Sequence, residues 1–249
     1  MKRRNFESFE LEIQNIPVKV YKPTDYNEET KTVIHYHGWT SDVTKYYTLG
    51  KLYAKQGIQF ILPEIANHGV RKKDTNEEEH MIFIDSVLST IDEFDPIVNH
   101  LKDNKMINPD KLIVSGHSMG GFITNILVGL RDFKAGIIYN GAGDVIDIVK
   151  DFYTLEALNG LTGEDKVKSD RLLSLNPIAN CNLYNRKTIF AMIGEKDDVV
   201  NPNNMVRFLE ELNNQDIDTS NIEYKFFAED SHSISNDMIR AALDYTLNI

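Results

Sequence analysis

The reading of the fold turns on Leu112-Ile113-Val114-Ser115-Gly116-His117-Ser118-Met119-Gly120-Gly121-Phe122-Ile123. Its first part is a short apolar run of the kind that forms a strand buried on both faces. Its last part opens a helical pattern in which Phe122, Ile123, Ile126, Leu127 and Leu130 share one side. Between them Gly116-His117-Ser118-Met119-Gly120 matches G-x-S-x-G, and strand before with helix after is the setting in which that motif exposes a serine on a sharp turn. Side chains at Gly116 and Gly120 would collide with the neighbouring strand and helix. The N-terminus of the following helix supplies N–H groups that favour negative charge developing at the serine. Ser118 is therefore the candidate nucleophile. The nucleotide-binding patterns G-x-G-x-x-G and G-x-x-x-x-G-K-[ST] do not fit these residues.

Outward from this turn the chain alternates strands and helices. Further strands are read at Phe6 to Ile13, Val18 to Tyr21, Thr32 to His37, Phe60 to Pro63, Ala135 to Tyr139, Thr188 to Ile193 and Ile222 to Phe227. The first two form an antiparallel pair joined near Asn15, with Pro17 tolerable if that strand lies on an edge. Helices are read at Tyr46 to Gln56, along the stripe Met81, Ile84, Leu88, Ile91, Phe94, Val98 and Leu101, after the Asn201-Pro202 cap, and at Ser235 to Leu247. Pro96 should kink or split the second of these. The alternation predicts a mostly parallel sheet covered by helices on both faces, made mixed by the opening pair. From Asp144 to Asn185 no strand is read, only helical pieces at Asp147 to Ala157 and Lys168 to Leu175. So long a connection predicts an insertion over one end of the sheet, with a long two-helix crossover as the alternative.

With 249 residues, one large domain or two small ones are expected, and the absence of a linker favours a single domain over 1–249. Lys plus Arg number 27 against 38 Asp plus Glu, a net charge of −11 that repels phosphate backbones and anionic lipid. No nucleic-acid or membrane partner is expected. Cys181 is the single cysteine, so an internal disulfide is excluded. Lys2 to Arg4 lead into a polar stretch where a secretory signal would need an apolar one, and a cytoplasmic location is expected.

A serine hydroxyl needs a base, and the base needs an orienting carboxylate, in the chain order Ser, acid, His for this type of turn. Of seven histidines only His232 follows Ser118, in a polar loop after the last strand. The acid is sought in Gly194-Glu195-Lys196-Asp197-Asp198-Val199-Val200. Asp197 is preferred because its offset from the strand puts it in the turn, with Val199 and Val200 returning to the core; Asp198 is the runner-up and Glu195 a further carboxylate. Strand ends on the carboxyl side are where such sheets hold ligands. Two N–H donors for an oxyanion are expected at Met119 and, after the Gly38 turn, at Trp39, whose ring would also wall a pocket.

These residues resemble the α/β-hydrolase superfamily, through the His37-Gly38 loop, Gly116 to Gly121, Gly194-x-x-Asp197 and His232. Within it the resemblance is to small bacterial serine esterases related to the prolyl-oligopeptidase and dienelactone-hydrolase branches. Leu62-Pro63-Glu64 to Asn67-His68-Gly69 resembles a loop those enzymes hold beside the active site. The resemblance implies an eight-stranded sheet, a Ser–Asp–His triad, a small helical cap at about 144–185, no cofactor and no metal. It implies hydrolysis of small-molecule carboxylic esters with short to medium acyl chains by a monomer or homodimer. Ser231 and Ser233 flank the base where Gly or apolar residues are common. Peptidase or thioesterase activity on the same residues and a non-catalytic ligand-binding relative are the alternatives. His35-x-His37 with Asp42 and His68 has the spacing of a metal site but lacks a completing cluster.

Overall fold

The computed structural model describes residues 4–75, 77–152 and 160–249. Eight strands form one sheet: β1 (Phe6–Ile13), β2 (Ile16–Pro23), β3 (Thr32–Tyr36), β4 (Gln59–Pro63), β5 (Leu112–His117), β6 (Ala135–Tyr139), β7 (Ile189–Gly194) and β8 (Ile222–Phe227). Their order across the sheet is β1-β2-β4-β3-β5-β6-β7-β8. β1–β2 and β2–β4 are antiparallel, and every pair from β4–β3 onward is parallel. The chain leaves β3 toward β4 and leaves β5 toward β6, in opposite directions. Between β3 and β5 the carboxyl end of the sheet therefore opens into a crevice.

Alternation within the strands divides the core. Ile113, Ile137, Tyr139, Phe190 and Met192 face α1 (Tyr47–Lys55) and the C-terminal helix Asn236–Asn248, while Val114, Ile34 and Tyr36 face α2 (Glu79–Asp103) and α3 (Met119–Leu130). Ile138, Ile189, Ala191 and Ile193 pack on the helix Pro202–Asn214. That helix starts as the sequence indicated, with Asn201 accepting from the Asn203 amide and Pro202 in its first turn. Among the described residues no helix is long and apolar enough to cross a membrane.

Several local expectations need correction. Pro96 does not split α2, which is one helix from Glu79 to Asp103. Proline in a helix costs roughly 3 kcal/mol. Phe94, Ile97 and Leu101 are all buried near or beyond it, and each contributes about 1.5–3 kcal/mol, so packing prevails. The carbonyl that Pro96 leaves without a donor belongs to Asp92, an exposed residue open to water. Pro17 is not on an edge, since β2 lies between β1 and β4. It is tolerated because the β2–β4 register starts only at Val18 with Pro63. β3 ends at Tyr36, one residue before His37.

Between β6 and β7 the described residues contain α4 (Val145–Phe152), the helix Gly163–Ser174 and 3-10 turns over Pro177–Tyr184. The helix expected from Asp147 to Ala157 therefore begins two residues earlier, and its part beyond Phe152 lies outside the described residues. The helix expected at Lys168 begins at Gly163.

Candidate active site

At the end of β5 the backbone of Ser118 takes φ +56°, ψ −119°, a conformation that costs an L-residue about 1–3 kcal/mol. It is held by the Ser118 amide donating to the Tyr139 carbonyl at 3.0 Å and by the Ser118 carbonyl accepting from the Phe122 amide at 2.9 Å. Glycine is obligatory on either side. A Cβ at Gly116 would overlap the Gly120 carbonyl, and one at Gly120 would overlap the Tyr36 carbonyl of β3. The strain lifts the Ser118 hydroxyl out of the sheet at the mouth of the crevice.

Two loops meet it there. His232, in the loop after β8, places Nε2 2.8 Å from Ser118 Oγ and Nδ1 2.7 Å from Asp197 Oδ2, Asp197 lying in the turn after β7. The Asp197 side chain is 2% exposed and that of His232 16%. Asp197 Oδ1 accepts from the amides of Val199 and Val200, both at 2.9 Å. Asp198 and Glu195 are exposed and take no place in this series. Val200 packs against the core as expected, whereas Val199 does not and is 59% exposed; both border the cavity over Ser118.

That cavity encloses about 110 Å³ and is bounded by Trp39, Phe83, Met119, Ala142, Ile148, Val199 and Val200, with Ser118 on its wall and Asp147, Asn201 and Asn204 as its polar members. A larger recess of about 630 Å³ lies between the β1–β2 hairpin and the loops at 42–44 and 64–70. None of Ser118, Asp197 and His232 lines it, so the chemistry belongs to the smaller space. Met119 opens α3, where first-turn amides have no partner within the helix. Gly38 brings the Trp39 loop against the nucleophile, since a Cβ on it would stand 3.2 Å from Ser118 Cβ. The Trp39 ring packs edge-on against Phe83 and against His68 of the loop after β4, with ring centres 5.4 and 4.9 Å apart.

The histidines that suggested a metal site are committed elsewhere. His35 Nδ1 is 2.7 Å from Ser115 Oγ, His37 Nε2 is 2.8 Å from the buried Glu64 carboxylate, and Asp42 caps the turn at Thr44. Among the described residues no three His, Cys, Asp or Glu side chains are grouped to hold a metal ion.

Two supporting features escaped the sequence reading. Tyr46 receives the Gly38 amide at 3.2 Å and stands 2.9 Å from His117 Nδ1, tying the Trp39 loop to the serine turn. Burial pushes the His117 imidazole down to about 4, His232 lowering it further and Asp197 opposing. His35, fully buried, is likewise well below its ordinary value. The unfolded chain binds protons at these positions that the folded chain refuses, so stability rises with pH through this range. Tm should fall as pH drops from about 6.5 toward 4, and His117→Gln should flatten that slope in thermal melts.

The second feature is Asn140, at the end of β6. Its Nδ2 donates to the carbonyls of Ser231 and Ser233 at 3.1 and 3.3 Å, on both sides of His232, while its Oδ1 accepts from the Gly194 amide at 2.9 Å, ahead of Asp197. One side chain thus sets the spacing of the base loop from the acid loop. An Asn at the carboxyl end of the strand beside the serine strand was the available signal, and its φ of +46° suits asparagine. Asn140→Gly removes the clamp and keeps that backbone conformation accessible. It should lower kcat by about 10²-fold with KM little changed, because misplacing a reacting group by an ångström costs on that order; steady-state kinetics on a soluble ester would measure it.

The serine turn and the sheet around it define an α/β-hydrolase. The chain belongs to the prolyl oligopeptidase family, whose sequence model matches residues 88–246. A model described as serine aminopeptidase, S33, matches residues 27–146. YitV of Bacillus subtilis (strain 168) is 29% identical over 141 residues, which are 55% of this chain and 54% of that protein. Esterase YjfP of Escherichia coli (strain K12) is 28% identical over 110 residues, 44% of each. The matched segments thus span about half the length of these curated relatives. Among solved structures, TT1662 from Thermus thermophilus superposes with a TM-score of 0.79 at 17% identity, covering 98% of this chain and 99% of that one. Acylaminoacyl peptidase of Pyrococcus horikoshii gives 0.68 at 15%, covering 99% of this chain and 40% of that one. At such identities the structural likeness speaks for the fold alone.

Proposed function

We propose that the chain is a serine hydrolase that cleaves small carboxylic esters of short to medium acyl chain through Ser118, His232 and Asp197, without a cofactor. His232 Nε2 takes the Ser118 proton as Oγ bonds to the ester carbonyl carbon. The resulting oxyanion is held by the Met119 and Trp39 amides. The imidazolium, oriented and balanced by Asp197, returns its proton to the departing alkoxide as the C–O bond breaks. Water, deprotonated by the same imidazole, then attacks the acyl-enzyme and frees the acid and the serine. The observation that carries the reading is the unbroken series of contacts, 2.8 and then 2.7 Å, beneath a small apolar cavity.

Esters are favoured as substrates by the esterase name of the Escherichia coli relative and by the apolar lining of the acyl space. The segment 144–185 acts as a cap in this reading, since Asp147 and Ile148 form part of the cavity wall. Its entry is pinned by Asn204, whose Oδ1 accepts the Gly143 and Asp144 amides at 2.8 and 2.9 Å. Family membership keeps peptide hydrolysis as the second reading. A fluorophosphonate should label Ser118, as read by peptide mass mapping, and nitrophenyl esters from acetate to octanoate should be cleaved faster than aminoacyl or peptidyl nitroanilides. No label at Ser118 removes the serine mechanism; nitroanilides cleaved in preference would make the protein a peptidase.

A further inference from the structure

The sheet ends in β8, which has β7 as its one neighbour; among the described residues nothing pairs with its outer edge. The Asn221 and Phe227 carbonyls accept from the Ile189 and Glu195 amides, so odd-numbered residues of this strand turn their backbone groups toward β7. Successive residues point opposite ways in the sheet plane, so Tyr224 and Phe226 present N–H and C=O outward. Their side chains are also uncovered, 53% and 41% exposed, with ring centres 5.8 Å apart. An open edge flanked by aromatic side chains is a template for another strand.

We propose that β8 pairs antiparallel with β8 of a second copy of this chain, about a two-fold axis at Tyr224, so that two eight-stranded sheets join edge to edge. The register follows from charge. With the axis at Tyr224, Glu223 faces Lys225 of the second copy, Lys225 faces its Glu223, and Ile222 faces its Phe226. An axis at Glu223 would set Glu against Glu, and one at Lys225 would set Lys against Lys. An axis between two residues would oppose an outward-pointing backbone to an inward-pointing one. The Tyr224 axis also sets the outward-pointing Tyr224 against its copy as a hydrogen-bonded pair and leaves the Phe226 amide facing the Ile222 carbonyl of the second copy, the Ile222 amide being taken by the Thr219 carbonyl at 2.8 Å. Each Glu–Lys pair falls at a non-hydrogen-bonded position, where side chains approach most closely. The chain carries a net charge of −11, which sets most of its surface against a second copy. Ile222–Phe227 holds one Glu and one Lys and is locally neutral.

Sedimentation velocity on the full chain, over a micromolar concentration series at low salt, tests this. The wild type should run as a dimer. Glu223→Lys and Lys225→Glu should each weaken self-association by more than about tenfold, and the double exchange should restore it. Tyr224→Pro should also give monomer with Tm close to wild type, because the N–H it removes points away from β7. A wild type that stays monomeric overturns the proposal, even if the edge then accepts a strand from another protein. Dimers that survive both single exchanges, or a double exchange that stays monomeric, overturn it as well.

Discussion

Ser118→Ala should lower kcat for a nitrophenyl ester by about 10⁶-fold, the loss typical when the nucleophile of such a set is removed. The residual rate should exceed that of water by about 10³–10⁴-fold, because amide donors and the cavity remain. The variant should fold normally. The substitution removes only the side-chain contact to His232, and the +56° turn is held by the backbone bonds of residue 118 to Tyr139 and Phe122. Alanine at positive φ carries the same strain as serine, so Tm should move little. His232→Ala should be about as severe, since the two act as one unit. Wild-type rates in either variant would sink the proposed mechanism.

Asp197→Asn should cost about 10⁴-fold in kcat, whereas Asp198→Asn should leave the rate near wild type. The asymmetry follows from how Asp197 is held. Its Oδ1 receives the Val199 and Val200 amides and its Oδ2 faces His232 Nδ1. An asparagine must keep its carbonyl oxygen on the two amides, which turns its NH₂ toward Nδ1. That ring nitrogen must then be an acceptor, so the proton sits on Nε2 and the base can no longer receive one from Ser118. Asp198 is exposed and touches none of these groups. Steady-state kinetics of the two variants on one ester separates them, and a larger loss in Asp198→Asn would reverse the assignment of the acid.

Local chemistry made much of this legible in advance. The strand–turn–helix around Ser118, the α2 stripe from Met81 to Leu101 and the Asn201-Pro202 helix start are each written in neighbouring residues. Their physics is that of one turn of chain: side-chain periodicity, glycine sterics and capping. The misreadings share an opposite cause. Propensity alone allows Pro96 to split its helix, but the stripe it interrupts is buried against a sheet that local sequence does not display, and the helix runs on as one. Pro17 suggests an edge strand because nothing local shows that β4 joins the far side of β2. Val199 has the apolar character of a core residue, whereas it is 59% exposed and borders the cavity, its amide bound to Asp197.

By itself, then, the sequence determined the alternating α/β architecture, the strained serine turn and the short roster of groups able to serve it. Tertiary structure alone decided which carboxylate meets the imidazole, that Asn140 spans both loops, and that β8 closes the sheet with an open edge. The reason is distance along the chain. Asp197 and His232 are 35 residues apart and Ser118 and His232 are 114 apart. Such separations exceed any local propensity, and only the order in which strands lie side by side brings those residues to one rim of the sheet.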